Sequence, residues 1–273
     1  MDKPDIKTII KGTFDIVSNG YDNAALRFFP ASAAHLAALL GLKGHEHVLD
    51  VACGTGHASL AIARMLQRGR VTALDFSPGM LGQARKKAAL HNVANIEFLE
   101  RDMQNLGFEN RFDVAVCAFG IFFVMDMETQ LARIVSAVKP GGRIAITNFR
   151  ENYFSPFKEL FFDRISSYGV QNPPQAWKRI AHEAGCRRLF ESAGLVNIRV
   201  ETRNVGYYLA NAEDWWSIVW NAGFRRYVTQ LSQQDQERFK REHLCEVEAQ
   251  RNKDGIQLDA EVLYTTGMKP EKK

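Results

Sequence analysis

Three acidic residues and one glycine turn carry the chemistry this chain could perform. Asp50 sits in the apolar run Val48-Leu49-Asp50-Val51, and the turn Ala52-Cys53-Gly54-Thr55-Gly56-His57 follows at once. Glycine has no Cβ, so a ligand can approach such a backbone closely, and a helix starting there has N–H groups to offer. Asp75 ends a second apolar run about 20 residues after the turn, where a carboxylate suits the hydroxyls of a ribose. Asp102, beside Met103, follows a third run and could accept a hydrogen bond from an adenine amino group. Acid, glycine turn, acid and acid again is the pattern of a nucleotide-like ligand site.

The elements needed to bring these residues together are legible. Strand signals cover His47–Val51, Arg70–Leu74, Asn95–Leu99, Phe112–Cys117 and Arg143–Thr147. Between them lie an apolar-rich helix over Ala58–Leu66 and a helix opened by Ser77-Pro78 and running to about His91, Ser being a good N-cap and Pro suiting the first helical position. A third helix, Leu131–Val138, is stopped by Lys139-Pro140-Gly141-Gly142. Such βαβ alternation predicts a parallel sheet with helices on both faces. Ligands of these sheets bind beyond the carboxyl ends of the strands, and Asp50–Gly56, Asp75, Asp102 and Phe119 all fall there. The second half is less regular: an aromatic, loop-rich excursion over Glu151–Pro174, a helix over Trp177–Ala193 ended by Gly194, a strand from Val196 to Val200, a helical stretch from Asn211 to Arg251, and strand character over Gln257–Thr266.

Composition narrows the classes of function. The chain has 273 residues, 24% of them charged, and a formal net charge of +4. Its bases are dispersed, with only a modest cluster at Lys178, Arg179, Arg187 and Arg188 and a mixed tail at Lys269–Lys273, which argues for solvated faces against a nucleic-acid stripe. No apolar run approaches the roughly 20 residues needed to span a bilayer, and Met1-Asp2-Lys3-Pro4-Asp5 lacks the apolar core of a signal peptide; a cytoplasmic protein is expected. Cys53, Cys117, Cys186 and Cys245 are widely spaced, and His45-Glu46-His47 has no metal-site spacing, so neither a metal nor a redox motif is expected.

Gly54-Thr55-Gly56-His57-Ala58-Ser59 is close to the dinucleotide pattern GxGxxG, with Ser in the third place, and with Asp75 it would fit a nicotinamide enzyme. Three features favour another ligand. Asp50 would repel a pyrophosphate but could bind an amino group, directly or through water. Asp102 suits an adenine amino group. No Arg or Lys stands where a phosphate would need one. A sulfonium amino acid joined to adenosine meets all three conditions.

On these residues the sequence resembles the class I S-adenosylmethionine-dependent methyltransferases, and within them it is similar to the ubiquinone/menaquinone-biosynthesis-type small-molecule enzymes. The matching pieces are Val48–Gly56, Ala73–Leu81, Asp102-Met103, Phe112–Ala115 and Leu131–Gly142, in the family's order and spacing, with Phe14-Asp15 and Tyr21-Asp22 similar to its N-terminal helical cap. The resemblance implies an α/β, Rossmann-like, seven-stranded and mostly parallel sheet of order 3-2-1-4-5-7-6, its last strand antiparallel. It implies one methyltransferase domain over 1–273: a cap over 1–44, a cofactor-binding core over 45–149, lid or substrate insertions over 150–176 and 211–254, and closing strands in 196–209 and 257–268. It also implies roles. Ala52, Gly54, Thr55 and Gly56 would form the turn around the methionine part of S-adenosylmethionine, and Asp75 would bind the ribose. Phe76 and Met80 would pack the adenine, Asp102 and the Met103 backbone would read its edge, and Ala118 and Phe119 would lie beside the methionine end. Tyr21 would contact cofactor or substrate. Ala52 departs from the pattern, which most often has glycine there; binding survives this change if φ at Ala52 is negative.

Blander readings stand beside these. Asp50 could simply tie down the turn, Asp75 could serve only as charge at a helix start, Phe76 and Met80 could be plain core, and His57 could sit on a helix surface. Asn172-Pro173-Pro174-Gln175 lies far beyond the fifth strand, where an amino-methylating motif would directly follow the fourth, and it lacks an aromatic fourth residue, so it reads as a loop turn. Ser59 and His57 make no nucleophile elbow. His182 and Tyr153 could act as bases only by their place in the insertions, and no catalytic residue is assigned. Trp216, Trp220 and Phe224 at i, i+4, i+8 would share one helix face, packing as core in preference to lining a pocket; if they line one, an apolar or aromatic acceptor suits it. The function expected is methyl transfer to a small metabolite, releasing S-adenosylhomocysteine. The alternatives are a nicotinamide-dependent oxidoreductase and a cofactor-binding module without catalysis.

Overall fold

A computed structural model describes residues 6–172 and 175–271. The N-terminal pentapeptide, Pro173-Pro174 and the last two lysines of the tail lie outside the described residues, and with them the centre of the Asn172–Gln175 motif. In chain order the elements are α1 (Ile6–Val17), α2 (Phe28–Leu39), β1 (His47–Val51), α3 (His57–Ala63), β2 (Arg70–Asp75), α4 (Pro78–Leu90), β3 (Ile96–Glu100), β4 (Phe112–Ala118), α5 (Met127–Ala137) and β5 (Val138–Phe149). Then follow α6 (Phe157–Ser167), α7 (Glu183–Ser192), β6 (Val196–Asn204), β7 (Tyr207–Leu209), α8 (Ala212–Asn221), α9 (Arg225–Val228), α10 (Gln233–Glu248), β8 (Ile256–Leu258) and β9 (Glu261–Met268). The chain divides into two compact units: unit 1 comprises residues 1–28, 152–175 and 204–261, and unit 2 comprises 29–151, 176–203 and 262–273.

Unit 2 holds a seven-stranded sheet of order β3-β2-β1-β4-β5-β9-β6. The first five strands pair in parallel, and β9 runs antiparallel to β5 with Thr147 opposite Tyr264. This is the expected topology, with β9 in the place of the seventh strand. The central strands are apolar because both faces are covered: Val48, Leu49, Val51, Val114, Ala115 and Val116 are all fully buried. α4 begins as its sequence demands, Ser77 Oγ accepting from the Met80 N–H at 3.1 Å with Pro78 in the first turn. α7 stops where Gly194 takes φ +71°, a conformation glycine adopts without strain. Lys139–Gly142 follows the end of α5 as expected and is at the same time the bulged start of β5, the register against β4 shifting between Phe112 and Val114. Gly142 is required there, since a Cβ would lie 2.8 Å from the Asp113 carbonyl.

Unit 1 is mostly helical, with α10 packed on α6 and α8 and a small antiparallel pair formed by β7 and β8. Two expectations are corrected here. Ile256–Leu258 belongs to this pair and not to the large sheet. The helical stretch 211–251 is three helices, broken at Ala222-Gly223 and again before Ser232, so Phe224 lies beyond the helix that carries the tryptophans. The core residue of α8 is Trp215, fully buried against Phe154, Phe157 and Phe224, while Trp216 and Trp220 stack on each other half-buried, with Lys240 and Arg225 over their rings. Trp215 Nε1 donates to His243 Nε2 at 2.8 Å, which satisfies a buried indole N–H as burial requires.

Candidate active site

Within unit 2 the carboxyl ends of β1, β2, β3 and β4 form one rim, because Asp50 lies level with Ala73 of β2 and with Val116 of β4. Ala52–Gly56 leaves β1, Asp75-Phe76 leaves β2, Asp102-Met103 follows β3 and Ala118–Gly120 leaves β4. The four predicted segments are therefore brought together.

Asp75 organises the turn. Its Oδ2 accepts from the Gly54 N–H at 2.8 Å and its Oδ1 from the Ser77 N–H at 2.9 Å, and the Cys53 N–H donates to the Leu74 carbonyl at 2.9 Å. One side chain thus fixes both the turn after β1 and the entry to α4. Gly54 and Gly56 take φ +55° and +83°. A Cβ on Gly54 would meet nothing within 4 Å, so this glycine faces open space, whereas one on Gly56 would sit 3.1 Å from the Ala84 Cβ. The first glycine leaves room for a ligand, and the second lets the turn pack on α4.

Ala52 has φ +56°. The condition of a negative φ is not met: the residue holds the left-handed backbone that its position imposes on glycine and alanine alike, and a non-glycine residue is strained there. Phe119, at the matching place after β4, has φ +55°. Two strained non-glycine residues at adjacent strand ends are what a functional rim shows.

Asp50 is completely buried and its Oδ2 accepts from Ser59 Oγ at 2.5 Å. Its Oδ1 is sealed from solvent and has no hydrogen-bond partner. Burial, and after it the nearby charge of Asp75, raises the carboxyl to about 7, against the opposing hydrogen bond from Ser59. A buried acceptor left unfilled is costly, and a cation, directly or through a bridging water, would complete it. Ser59 was visible in sequence only as the Ser in the third place of the glycine pattern; its role in holding Asp50 was not.

The remaining predicted residues divide by exposure. Phe76, Met103, Ala118 and Phe119 are half-buried. Met80 is fully buried, and Thr55 turns its hydroxyl inward to Lys87 Nζ at 3.2 Å. Asp102 Oδ1 accepts from the Gln104 N–H at 2.9 Å, and the Met103 carbonyl accepts from Gln130 Nε2 at 2.8 Å. Tyr21 belongs to unit 1, in the turn after α1, edge-on to Phe14. Two aromatic residues missed in sequence join Phe119: Phe149 at 4.6 Å and Phe29 at 5.3 Å between ring centres. They come from β5 and α2, distant in sequence, and only the folded sheet sets them beside one another.

Of the cations near the turn, Lys87 is held on Thr55 and His57, while Arg85 donates to the Phe98 carbonyl and Arg101 to the Leu106 carbonyl. The Cys53 and Cys117 thiols are pushed up by burial first and by Asp50 next, and stay protonated. His182 is exposed, and burial raises the Tyr153 phenol and keeps it protonated. Among the described residues no group of His, Cys, Asp and Glu could hold a metal ion, and no helix is long and apolar enough to cross a membrane. A rim of carboxylates with an open glycine face fits an adenosyl ligand that is cationic.

Comparison with known proteins agrees. The family described as "Methyltransferase domain" matches residues 48–142. The chain is 30% identical over 176 residues to aklanonic acid methyltransferase DauC of Streptomyces sp., covering 63% of this chain and 80% of that one. It is 29% identical over 218 residues to a demethylmenaquinone methyltransferase of Lactiplantibacillus plantarum, covering 72% and 92%. In fold it is similar to the crystal structure of the YcgJ protein of Bacillus subtilis, with a TM-score of 0.58, 17% identity, and coverage of 89% of this chain and 99% of that one.

Proposed function

Since the chain belongs to the class I S-adenosylmethionine-dependent methyltransferases of the ubiquinone/menaquinone type, we propose that it moves the methyl group, by in-line displacement, to a small apolar or aromatic metabolite in the cytoplasm. The observation that carries the acceptor class is the half-buried trio Phe29, Phe119 and Phe149 at the rim of unit 2. Offset and edge-on aromatic faces favour an aromatic guest. The two relatives are named for organic acceptors, aklanonic acid and demethylmenaquinone.

Bound S-adenosylmethionine supplies an electrophilic methyl on a sulfonium whose leaving group is a neutral thioether. The residues of the chain then have positional work to do, since holding a nucleophile close and in line supplies much of the acceleration in a displacement. In this reading Asp75 binds the ribose, and Asp102 with the Met103 backbone reads the adenine edge. Phe76 and Met80 flank the adenine, Met80 from within the core. Ala52, Gly54, Thr55 and Gly56 offer backbone to the methionine part, with the Thr55 side chain bracing the turn through Lys87. Asp50 balances the ammonium group, and Ala118 and Phe119 border the reacting end. No residue is assigned as a base.

The test is incubation of the purified chain with a metabolite extract and methyl-labelled S-adenosylmethionine. Transfer of label to an aromatic small molecule is expected; label confined to polar, non-aromatic products would overturn the acceptor class. Calorimetry with S-adenosylhomocysteine and with NAD separates the nicotinamide alternative, for which only NAD would bind.

A further inference from the structure

One stretch of unit 2 carries all of the chain's positive excess. Residues 57–95 hold Arg64, Arg68, Arg70, Arg85, Lys86 and Lys87 against a single acid, Asp75, in a chain whose formal net charge is +4. Asp75 is buried and engaged with the turn after β1. The turns that lead into β2 and β3 lie at the amino ends of those strands, the end of the sheet opposite the rim. Arg64, Arg68 and His91 line one cleft there, between the ends of α3 and α4. Lys86 stands one turn before Leu90 on the same face of α4. Arg64, Arg68 and Lys86 are exposed, and none has an ion-pair partner among the described residues.

The acids of the neighbouring elements are turned away. Glu46 is buried, its carboxylate accepting from the Lys43, Gly44 and His45 N–H groups. Glu97 is on the other face of the sheet, accepting from Thr72 Oγ1 at 3.4 Å, whereas Phe98 beside it faces Gly56 on the α3–α4 side. Glu100 ends β3 at the rim. Among the cations stand two apolar side chains in water. Leu90, just before His91, is 77% exposed, more than any other large apolar residue described, and Met65, just after Arg64, is 41% exposed. Neutralising the carbonyl end of α3 accounts for Arg64; it does not account for Leu90 or Met65. The same helix ends disfavour a single small anion held in the cleft. A nucleic-acid backbone would use the cations and leave both apolar side chains against phosphate and water. A bilayer with anionic headgroups uses both: its surface potential draws the cations, and its acyl boundary receives the apolar side chains.

We propose that this end of unit 2, with Arg64, Arg68 and Lys86 around Leu90 and Met65, docks on an anionic bilayer surface. The test is sedimentation of the whole chain with vesicles of phosphatidylcholine containing about a third phosphatidylglycerol, against vesicles of phosphatidylcholine alone. The chain is expected to partition onto the anionic vesicles at least about tenfold more strongly and to come off as salt is raised. Arg64→Gln, Arg68→Gln and Lys86→Gln together lower the partition by about 100-fold, near fivefold per charge. Leu90→Ser, with every charge in place, lowers it by about tenfold. Lys178→Gln, Arg188→Gln and Lys253→Gln together remove three exposed cations outside this stretch and lower it by no more than about fivefold. All three variants keep their circular dichroism and their affinity for S-adenosylhomocysteine; if the first fails to fold, Lys86→Gln alone decides. Equal partition onto the two kinds of vesicle, an unchanged first variant, or equal losses in the two triple variants overturns the face. Wild-type binding by Leu90→Ser overturns the apolar contact on which the choice of a bilayer rests. Retention on polyuridylate without binding to vesicles overturns the bilayer in favour of nucleic acid.

Discussion

Ala52 and Gly120 occupy one space at the ends of adjacent strands: a Cβ built on Gly120 would lie 2.8 Å from the Cβ of Ala52 and 3.0 Å from Cys117 Sγ. Gly120 has an ordinary φ of −112°, so its lack of a side chain answers to space and not to backbone conformation. Ala52 meanwhile carries the backbone strain.

The two positions should therefore be coupled. Ala52→Gly relieves the left-handed strain and is expected to stabilise the chain by about 1 kcal/mol. Gly120→Ala should destabilise it by about 1–3 kcal/mol through overpacking. In the double variant much of that cost should vanish, since the Cβ in the way is gone. Urea unfolding of the four proteins measures this, and strictly additive effects would dismiss the coupling.

Asp50 makes ligand binding pH-dependent. Its carboxyl is raised to about 7, so below that pH it must release a proton to face a cationic amino group. Affinity for S-adenosylhomocysteine should rise with pH up to about 7, by at most about tenfold per unit, and then level off. Asp50→Asn should flatten the profile. A wild-type affinity constant between pH 5.5 and 8 would exclude Asp50 from the ligand's charge balance.

For Asp75 we expect Ala to weaken S-adenosylhomocysteine binding by about 100-fold, two hydrogen bonds to a charged group being at stake. The same change releases the Gly54 and Ser77 amides, so melting temperature must be followed alongside. An affinity within a few-fold of wild type would remove Asp75 from the site.

His243 supplies a test in unit 1. Burial lowers it to about 4, against the pull of Glu246, and Nε2 accepts from Trp215, which puts the neutral ring's proton on Nδ1 facing Glu246. The folded state thus favours the uncharged ring. Its contribution is complete above the unfolded value near 6.5 and is lost as pH falls toward 4. His47 is also lowered to about 4, by burial and then Arg70, and Asp50 acts in the opposite sense, so a difference between proteins is needed. His243→Phe should lose on the order of 2 kcal/mol less than wild type between pH 7 and 5, while costing about 1–3 kcal/mol at pH 7 by orphaning the Trp215 N–H. Equal pH slopes in urea unfolding would contradict this.

What the sequence disclosed and what it hid follow from range. The β1 turn, the Ser77-Pro78 helix start and the placement of Asp75 are local: residue type and spacing within a few positions dictate them, and the structure has each. The sheet order was reached through family resemblance and agrees. Hidden features are those set by partners far along the chain. The positive φ at Ala52 belongs to the turn between β1 and α3, and the residue type there, alanine, does not announce it. Phe29 and Phe149 meet Phe119 only across the sheet. The three helices of 211–251 looked like one because apolar spacing continues across Ala222-Gly223, and a lone Gly in a helical pattern breaks it only when packing asks it to.

The sheet order has a consequence for synthesis. β9 lies between β5 and β6, yet it is made last, more than fifty residues after β6. Until residues 261–268 leave the ribosome, β6 has no neighbour in the sheet and the outer side of β5 is an open row of unpaired amides and carbonyls, the kind of edge that recruits other chains. The nascent protein carries that edge through the making of α8, α9 and α10, an interval of exposure that a sheet closed in chain order would not have.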